Sequence, residues 1–346
     1  MSEPASVVRA TAPGRVNLIG DHTDYTGGFV LPMAIDRSVV VEGRRGGRVV
    51  RLRSRSESGE AAFPLTVENP GAIFPPWARY AAGVAKTVTP RVGFDGEIRS
   101  TVPVGAGLSS SAALSVAVAL AFGFEGTALE LAQACQTAEH VATGVPCGIM
   151  DQLASAAGVA GHSLLIDCAA LSVSPVPMPE GVDVWVLRAG GPRRLVGSPY
   201  AERRAQCEAA SAVVGPLRDV ASVSALDVLD DALLRRRARH VVTENDRVLA
   251  CADALRRGDI VSAGALMTES HVSLRDDFDV STDALDAAVA RLTSTPGVLG
   301  ARLTGAGFGG SVVALAESGA RVGEDAWRVV AVGGATVEEI GGGSSL

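Results

Sequence analysis

Pro103-Val104-Gly105-Ala106-Gly107-Leu108-Ser109-Ser110-Ser111-Ala112-Ala113-Leu114 is the stretch on which the reading of this chain turns. Two glycines run into three serines, and the serines open the apolar run Ala112 to Phe122. The pattern predicts a tight loop and then a buried helix over about 109–122. The first turn of such a helix carries unpaired backbone N–H groups and the positive end of the helix dipole. Glycines remove side chains that would keep an anion from the backbone, and hydroxyls add donors, so the stretch reads as a phosphate site. A serine that only caps a core helix accounts for one hydroxyl and neither glycine. The lysine-bearing loop G-x-x-x-x-G-K-[ST] is absent, and the chain's single lysine, Lys86, lies far from any glycine loop. Phosphate charge must then be met by arginine and magnesium.

With 346 residues the chain suggests two domains or one large one, and a hydrophobic content of 47% supports a sizeable core. Aromatics make up only 4%, so the cores are expected to be built from small aliphatics. A net charge of −7 argues against nucleic acid and membrane surfaces as partners. The five cysteines form no C-x-x-C pair, and the five histidines show no metal-ligand spacing, so reduced thiols and no structural zinc are expected. No basic-then-apolar leader begins the sequence and no apolar run approaches the ~20 residues of a membrane span. The expectation is a cytoplasmic protein and a monomer.

Outward from the loop, Phe94–Val102 reads as a strand leading in, and helices follow at 127–143 and from near Gly148. Val39–Arg53 alternates valine with arginine and glycine, which predicts a hairpin turning at Gly46-Gly47. Ser54–Pro76 is broken by four prolines and reads as loop with one strand, and Trp77–Thr87 as helix. After a strand at His162–Asp167, the proline-rich stretch Leu171–Gly181 reads as the boundary between a domain over 1–174 and another over 175–346. Val182–Arg188, Val298–Leu303 and Ser311–Ala316 read as strands; Pro199–Val214, most of 225–257, Ile260–Ser270 and Thr282–Thr293 read as helices. The glycine-serine tail 341–345 is expected to be disordered.

Three further clusters carry chemistry. In Pro13-Gly14-Arg15-Val16-Asn17-Leu18-Ile19-Gly20-Asp21-His22-Thr23-Asp24-Tyr25 a strand ends in spaced acids, which suits a polyhydroxylated ligand because each carboxylate accepts two hydroxyls. A solvated acidic turn is the plainer alternative, but it calls for neither the glycine nor the histidine. Glu139 sits beside the apolar stripe Leu131, Cys135, Ala138 and Ala142, where it could be magnesium's one protein carboxylate or a surface residue. Asp151 falls in the first turn of the helix after Gly148, where the dipole favours the anion. Gly305-Ala306-Gly307-Phe308-Gly309-Gly310 matches G-x-G-x-x-G, but it joins two strands instead of opening a helix, so a dinucleotide fold is not expected.

Together these motifs resemble the galactokinase branch of the GHMP kinases, over nearly the whole chain. Gly14–Tyr25, Pro103–Leu114, Cys147–Gln152, His240–Leu249, Leu266–Ser281 and Arg302–Gly310 are the segments that carry the likeness. The resemblance implies an α+β, two-domain GHMP kinase fold: an S5-like N-terminal domain and a ferredoxin-like C-terminal domain, with the active site between them. It implies ATP and a monosaccharide, D-galactose first, as substrates, with phosphorylation at the anomeric hydroxyl and magnesium as cofactor. Arg15 and Asp151 would be the catalytic pair. Arg15, Asp21, His22, Asp24, Gly148, Asp151 and Tyr200 would surround the sugar. Trp77 would lie by the adenine, Gly105, Ala106, Gly107, Leu108, Ser109, Ser110 and Ser111 around the phosphates, and Ser111 with Glu139 would hold the metal. Most of the family has Glu where this chain has Asp21, which is one methylene shorter; Arg188–Arg194 lacks the usual Asn/Ser/Thr character, and the first motif lies close to the start. A kinase for arabinose, galacturonate or N-acetylgalactosamine, and a non-catalytic sugar sensor, stand as alternatives.

Overall fold

A computed structural model describes residues 7–190 and 199–340. Expectations for 191–194 and for the tail 341–345 lie outside the described residues. The chain begins with β1 (Val7–Asn17), β2 (Phe29–Val30), β3 (Pro32–Arg45), β4 (Val49–Ser54) and β5 (Glu60–Pro64). Then come α1 (Ala78–Val88), β6 (Phe94–Ser100), α2 (Ser110–Ala121), α3 (Ala128–Thr143), α4 (Met150–Ala157), β7 (His162–Asp167), β8 (Ser172–Pro177) and β9 (Val182–Arg188). The remainder is α5 (Tyr200–Val214), α6 (Ala232–Arg256), α7 (Ile260–Asp276), α8 (Asp283–Thr293), β10 (Val298–Thr304), β11 (Ser311–Glu317), β12 (Ala326–Val329) and β13 (Thr336–Ile340).

The strands form a six-stranded sheet ordered β13-β1-β3-β6-β4-β5, a four-stranded sheet β10-β11-β9-β12 and a three-stranded sheet β2-β7-β8. The hairpin expected over 39–53 does not form. β6 lies between its two arms, antiparallel to β3 and parallel to β4. Gly46 and Gly47 still make the tight link, bonded to Gly93 at 2.8 and 2.9 Å. Alternating valines say which face of a strand is buried, not which strand lies beside it.

The proline-rich stretch 171–181 contains strand β8 paired with β7, so a division at 174/175 passes through that strand. Its prolines fit because β8 is an edge. Met178 N–H donates to Gly161 at 2.9 Å, so the even-numbered amides face inward and Pro175 and Pro177 occupy the outward positions. The chain end also returns: β13 pairs with β1 in the first sheet.

The four-stranded sheet is shared by two cores. Val312, Ala314 and Ala316 of β11 face one core, with α8 and the buried faces of α5 and α6; Val313 and Leu315 face the other. That two-sided burial is why β11 is apolar at nearly every position. α2 is almost wholly buried, which fixes its N-terminus and hence the loop before it.

Candidate active site

The phosphate-type loop forms as its glycines require. Gly105, Gly107 and Ser109 have φ of 69°, 80° and 59°, the left-handed region that glycine enters freely. Ser109 is the residue preceding α2, yet its side chain caps nothing. Its hydroxyl is buried without a hydrogen-bond partner among the described residues, so simple capping does not explain the serine. Ala106 and Leu108 turn their side chains into the core and leave only backbone to a ligand. Ser311 Oγ donates to the Ala106 carbonyl at 2.7 Å, tying the loop to β11.

Arg15, 2% exposed, joins this loop to the acid at the start of α4. Its Nη1 donates to the Gly107 carbonyl at 2.7 Å and its Nε to Asp151 Oδ1 at 2.8 Å. Asp151 remains 32% exposed at the side chain. Glu139 is buried on α3 and accepts from Gln152 Nε2 at 2.8 Å. Burial first and then the charge of Asp151 push it up to about 7, against a hydrogen bond from Ser111.

Asp24 presses on Gly148: a Cβ there would stand 1.9 Å from Asp24 Oδ2. Burial, with Asp151 adding to it, raises Asp24 to about 7. Burial and the charge of Asp24 hold the Tyr200 hydroxyl well above its usual range, and its ring lies 5.5 Å from His22 and 5.6 Å from Tyr25. Asp24, Gly148, Asp151, Arg15 and Tyr200 thus form one cluster.

Other expected residues are engaged within the protein. Asp21, 2% exposed at the side chain, pairs with Arg302 at 2.8 Å and accepts from Gly305 N–H at 3.1 Å. His22 donates from Nε2 to the Ala306 carbonyl at 3.1 Å and pairs through Nδ1 with the Tyr25 hydroxyl at 2.9 Å. Both side chains bind the first motif to the third glycine loop. The Trp77 indole N–H donates to the Ser58 carbonyl at 3.2 Å, in the β4–β5 connection.

The sequence reading missed Gln152, Arg302 and Arg218. Gln152 sits beside Asp151 in a motif already noted, and an amide flanking a candidate acid was the available signal. Arg218 lies in the single 3-10 turn Leu217–Asp219 and reaches Gly27 and Asp167, both at 2.6 Å; nothing local marks it.

A fold with a glycine-serine loop opening a buried helix, a buried arginine tied to that loop and to Asp151, and a sheet shared by two cores is that of a GHMP-type small-molecule kinase. Residues 79–159 match the family model "GHMP kinases N terminal domain", 251–329 match "GHMP kinases C terminal", and 2–45 match "Galactokinase galactose-binding signature". The galactokinase of Chloroflexus aggregans is 49% identical over 89% of this chain and 84% of its own. That of Homo sapiens is 44% identical over 92% and 86%. The crystal structure of Lactococcus lactis galactokinase with galactose superposes with a TM-score of 0.88 at 31% identity, covering 95% of each chain. A mevalonate kinase structure, at 19% identity and a TM-score of 0.66 over 94% of this chain and 99% of its own, shares the fold. The chain belongs to the galactokinase family of the GHMP kinases.

Proposed function

We propose that this protein transfers the γ-phosphoryl group of ATP to the anomeric hydroxyl of D-galactose, giving galactose 1-phosphate and ADP. The observation that carries the reading is Arg15, whose one guanidinium reaches both the phosphate loop at Gly107 and the acceptor-side acid Asp151. Phosphoryl transfer demands alignment and charge stabilisation more than covalent chemistry. Backbone N–H groups at 105–111 and the hydroxyls of Ser109, Ser110 and Ser111 hold the phosphates, with Trp77 toward the base. Asp151 orients the sugar's anomeric hydroxyl and accepts its proton, and Arg15 keeps that carboxylate aimed while facing the transferred group. Asp24 and Tyr200 receive the remaining hydroxyls against the bare Gly148. Asp21 and His22 serve the same site by fixing the backbone that carries Asp24.

Ser111 and Glu139 suit magnesium. Both offer hard oxygen donors, and at the Glu139 carboxylate burial and the charge of Asp151 outweigh Ser111, Gln152 and Arg15, an imbalance that a bound cation would relieve. Bound there, the ion neutralises phosphate charge. A cytoplasmic monomer is proposed with this function; no helix among the described residues is long and apolar enough to cross a membrane.

Coupled detection of ADP over a panel of sugars tests the reading. It expects magnesium-dependent turnover, fastest with galactose. Preference for a sugar altered at C6 would favour a related-sugar kinase, which Asp21's engagement with Arg302 makes the second reading. Turnover on no sugar would leave a sensor.

A further inference from the structure

The segment that carries Asp24 is a closed loop. Leu18 N–H bonds to the Leu31 carbonyl at 3.1 Å and Leu31 N–H to Ile19 at 3.0 Å, which draws the two ends of 20–29 together. Inside it, the Thr23 hydroxyl shares its one proton between the carbonyls of Gly20 and Phe29, which lie 2.8 and 2.7 Å from Oγ1. The amides of Gly20 and Phe29, one at each end of the loop, are answered from outside. Two adjacent residues of α6 do so: Gly20 N–H donates to Glu244 Oε1 at 3.0 Å and Phe29 N–H to Asn245 Oδ1 at 2.9 Å. One turn earlier on α6, His240 Nε2 donates to the Asp21 carbonyl at 3.2 Å.

Glu244 is built for this bond. Its side chain is fully buried, it also accepts from Ser270 Oγ, and Arg247 Nε donates to its other oxygen at 2.8 Å. A fully buried carboxylate on a helix is costly unless every oxygen is engaged. Gly20, at φ +97°, has no room for even a methyl group: a Cβ would meet Phe29, Val30 and Val248 at 2.8 Å. The amide therefore has one geometry, and Glu244 meets it.

We propose that Glu244, with Asn245 beside it, is a positioning residue for the sugar, acting through the backbone of 20–29 on Asp24 and not on the nucleotide. The inference rests on the sugar-kinase reading. Its place in the fold is separate from the phosphate loop, whose ties run to Arg15 and Ser311. Loss of the clamp therefore weakens sugar binding selectively.

The experiment compares wild type with Glu244→Ala, Glu244→Gln and Asn245→Ala, measuring KM for galactose, KM for ATP and kcat, with a thermal melt for each. Losing a hydrogen bond to a charged group is expected to raise the galactose KM of Glu244→Ala about tenfold or more. The ATP KM should stay within about twofold, and Glu244→Gln, which keeps an acceptor for Gly20, should recover most of the loss. If Glu244→Ala does not fold, Asn245→Ala and Glu244→Gln decide: the first must raise the galactose KM alone, the second must not. A folded Glu244→Ala or Asn245→Ala protein with an unchanged galactose KM, or with both KM values moving together, overturns the inference. Wild-type turnover is read first, since its absence on every sugar removes the kinase reading and this inference with it.

Discussion

Nη1 of Arg302 lies 2.8 Å from Oδ2 of Asp21, and the two side chains are 0% and 2% exposed. The contact joins the loop after β1 to β10 across the whole length of the chain. With Gly305 N–H on the other Asp21 oxygen at 3.1 Å, it sets the third glycine loop against the first motif. Removing one member strands a charge in the interior. Asp21→Asn should therefore cost about 3–5 kcal/mol of folding stability, read from urea unfolding. A loss well under 1 kcal/mol would show that the pair is not a tie.

Gly148→Ala tests the contact with Asp24. The new methyl would overlap Oδ2, so Asp24 must move or lose its partners. The galactose KM should rise about tenfold, as expected for one displaced charged hydrogen bond, with the ATP KM unchanged. A normal galactose KM would mean that Asp24 does not meet the sugar.

Glu139 predicts a proton linked to the metal. Raised to about 7 in the fold, it is mostly protonated just below neutrality, whereas a cation binds the carboxylate. Calorimetry of magnesium-ADP binding near pH 6 in buffers of different ionisation heat should show proton release, and near pH 8.5 little. Stability follows the same sign. A carboxyl whose folded value lies above its ordinary value of 4.5 favours the fold fully below about 4.5 and loses that contribution as pH rises through about 7. Ligand-free Glu139→Gln should lack that part of the slope, and an unchanged slope would refute the assignment.

Arg218 gives the opposite sign. Its hydrogen bonds hold Asp167 at about 2, below the ordinary carboxylate value of 3.8. The stabilisation is present above about 3.8 and disappears as pH falls through about 2. Arg218→Ala should cost about 2 kcal/mol near neutrality, a difference that shrinks on acidification below pH 4. Unfolding curves at several pH values check both the size and the trend.

Gly105, Gly107, Asp24, Gly148 and Asp151 were legible as candidates because each lies in a short motif of fixed local spacing. The path of β6 between β3 and β4 was not, since valine alternation encodes a face and leaves the partner open. Nor were the inward ties of Asp21 and His22, whose partners Arg302 and Ala306 lie more than 280 residues away. The motif at His240–Leu249 was visible as a pattern, but only the packing of α6 on the loop at 20–29 shows which amides its side chains meet. Pro175 and Pro177 misled because an edge strand tolerates proline on its outward side.

The proposed phosphoryl transfer depends most on Asp151 acting with Arg15 at the reacting hydroxyl. Asp151→Asn keeps the size of the side chain and an acceptor for Arg15 but removes the base. Steady-state turnover of ATP with saturating galactose should fall about 10²–10⁴-fold in this variant, with its melting temperature near that of the wild type. Near-normal turnover in a folded Asp151→Asn protein would contradict the proposed roles of both residues.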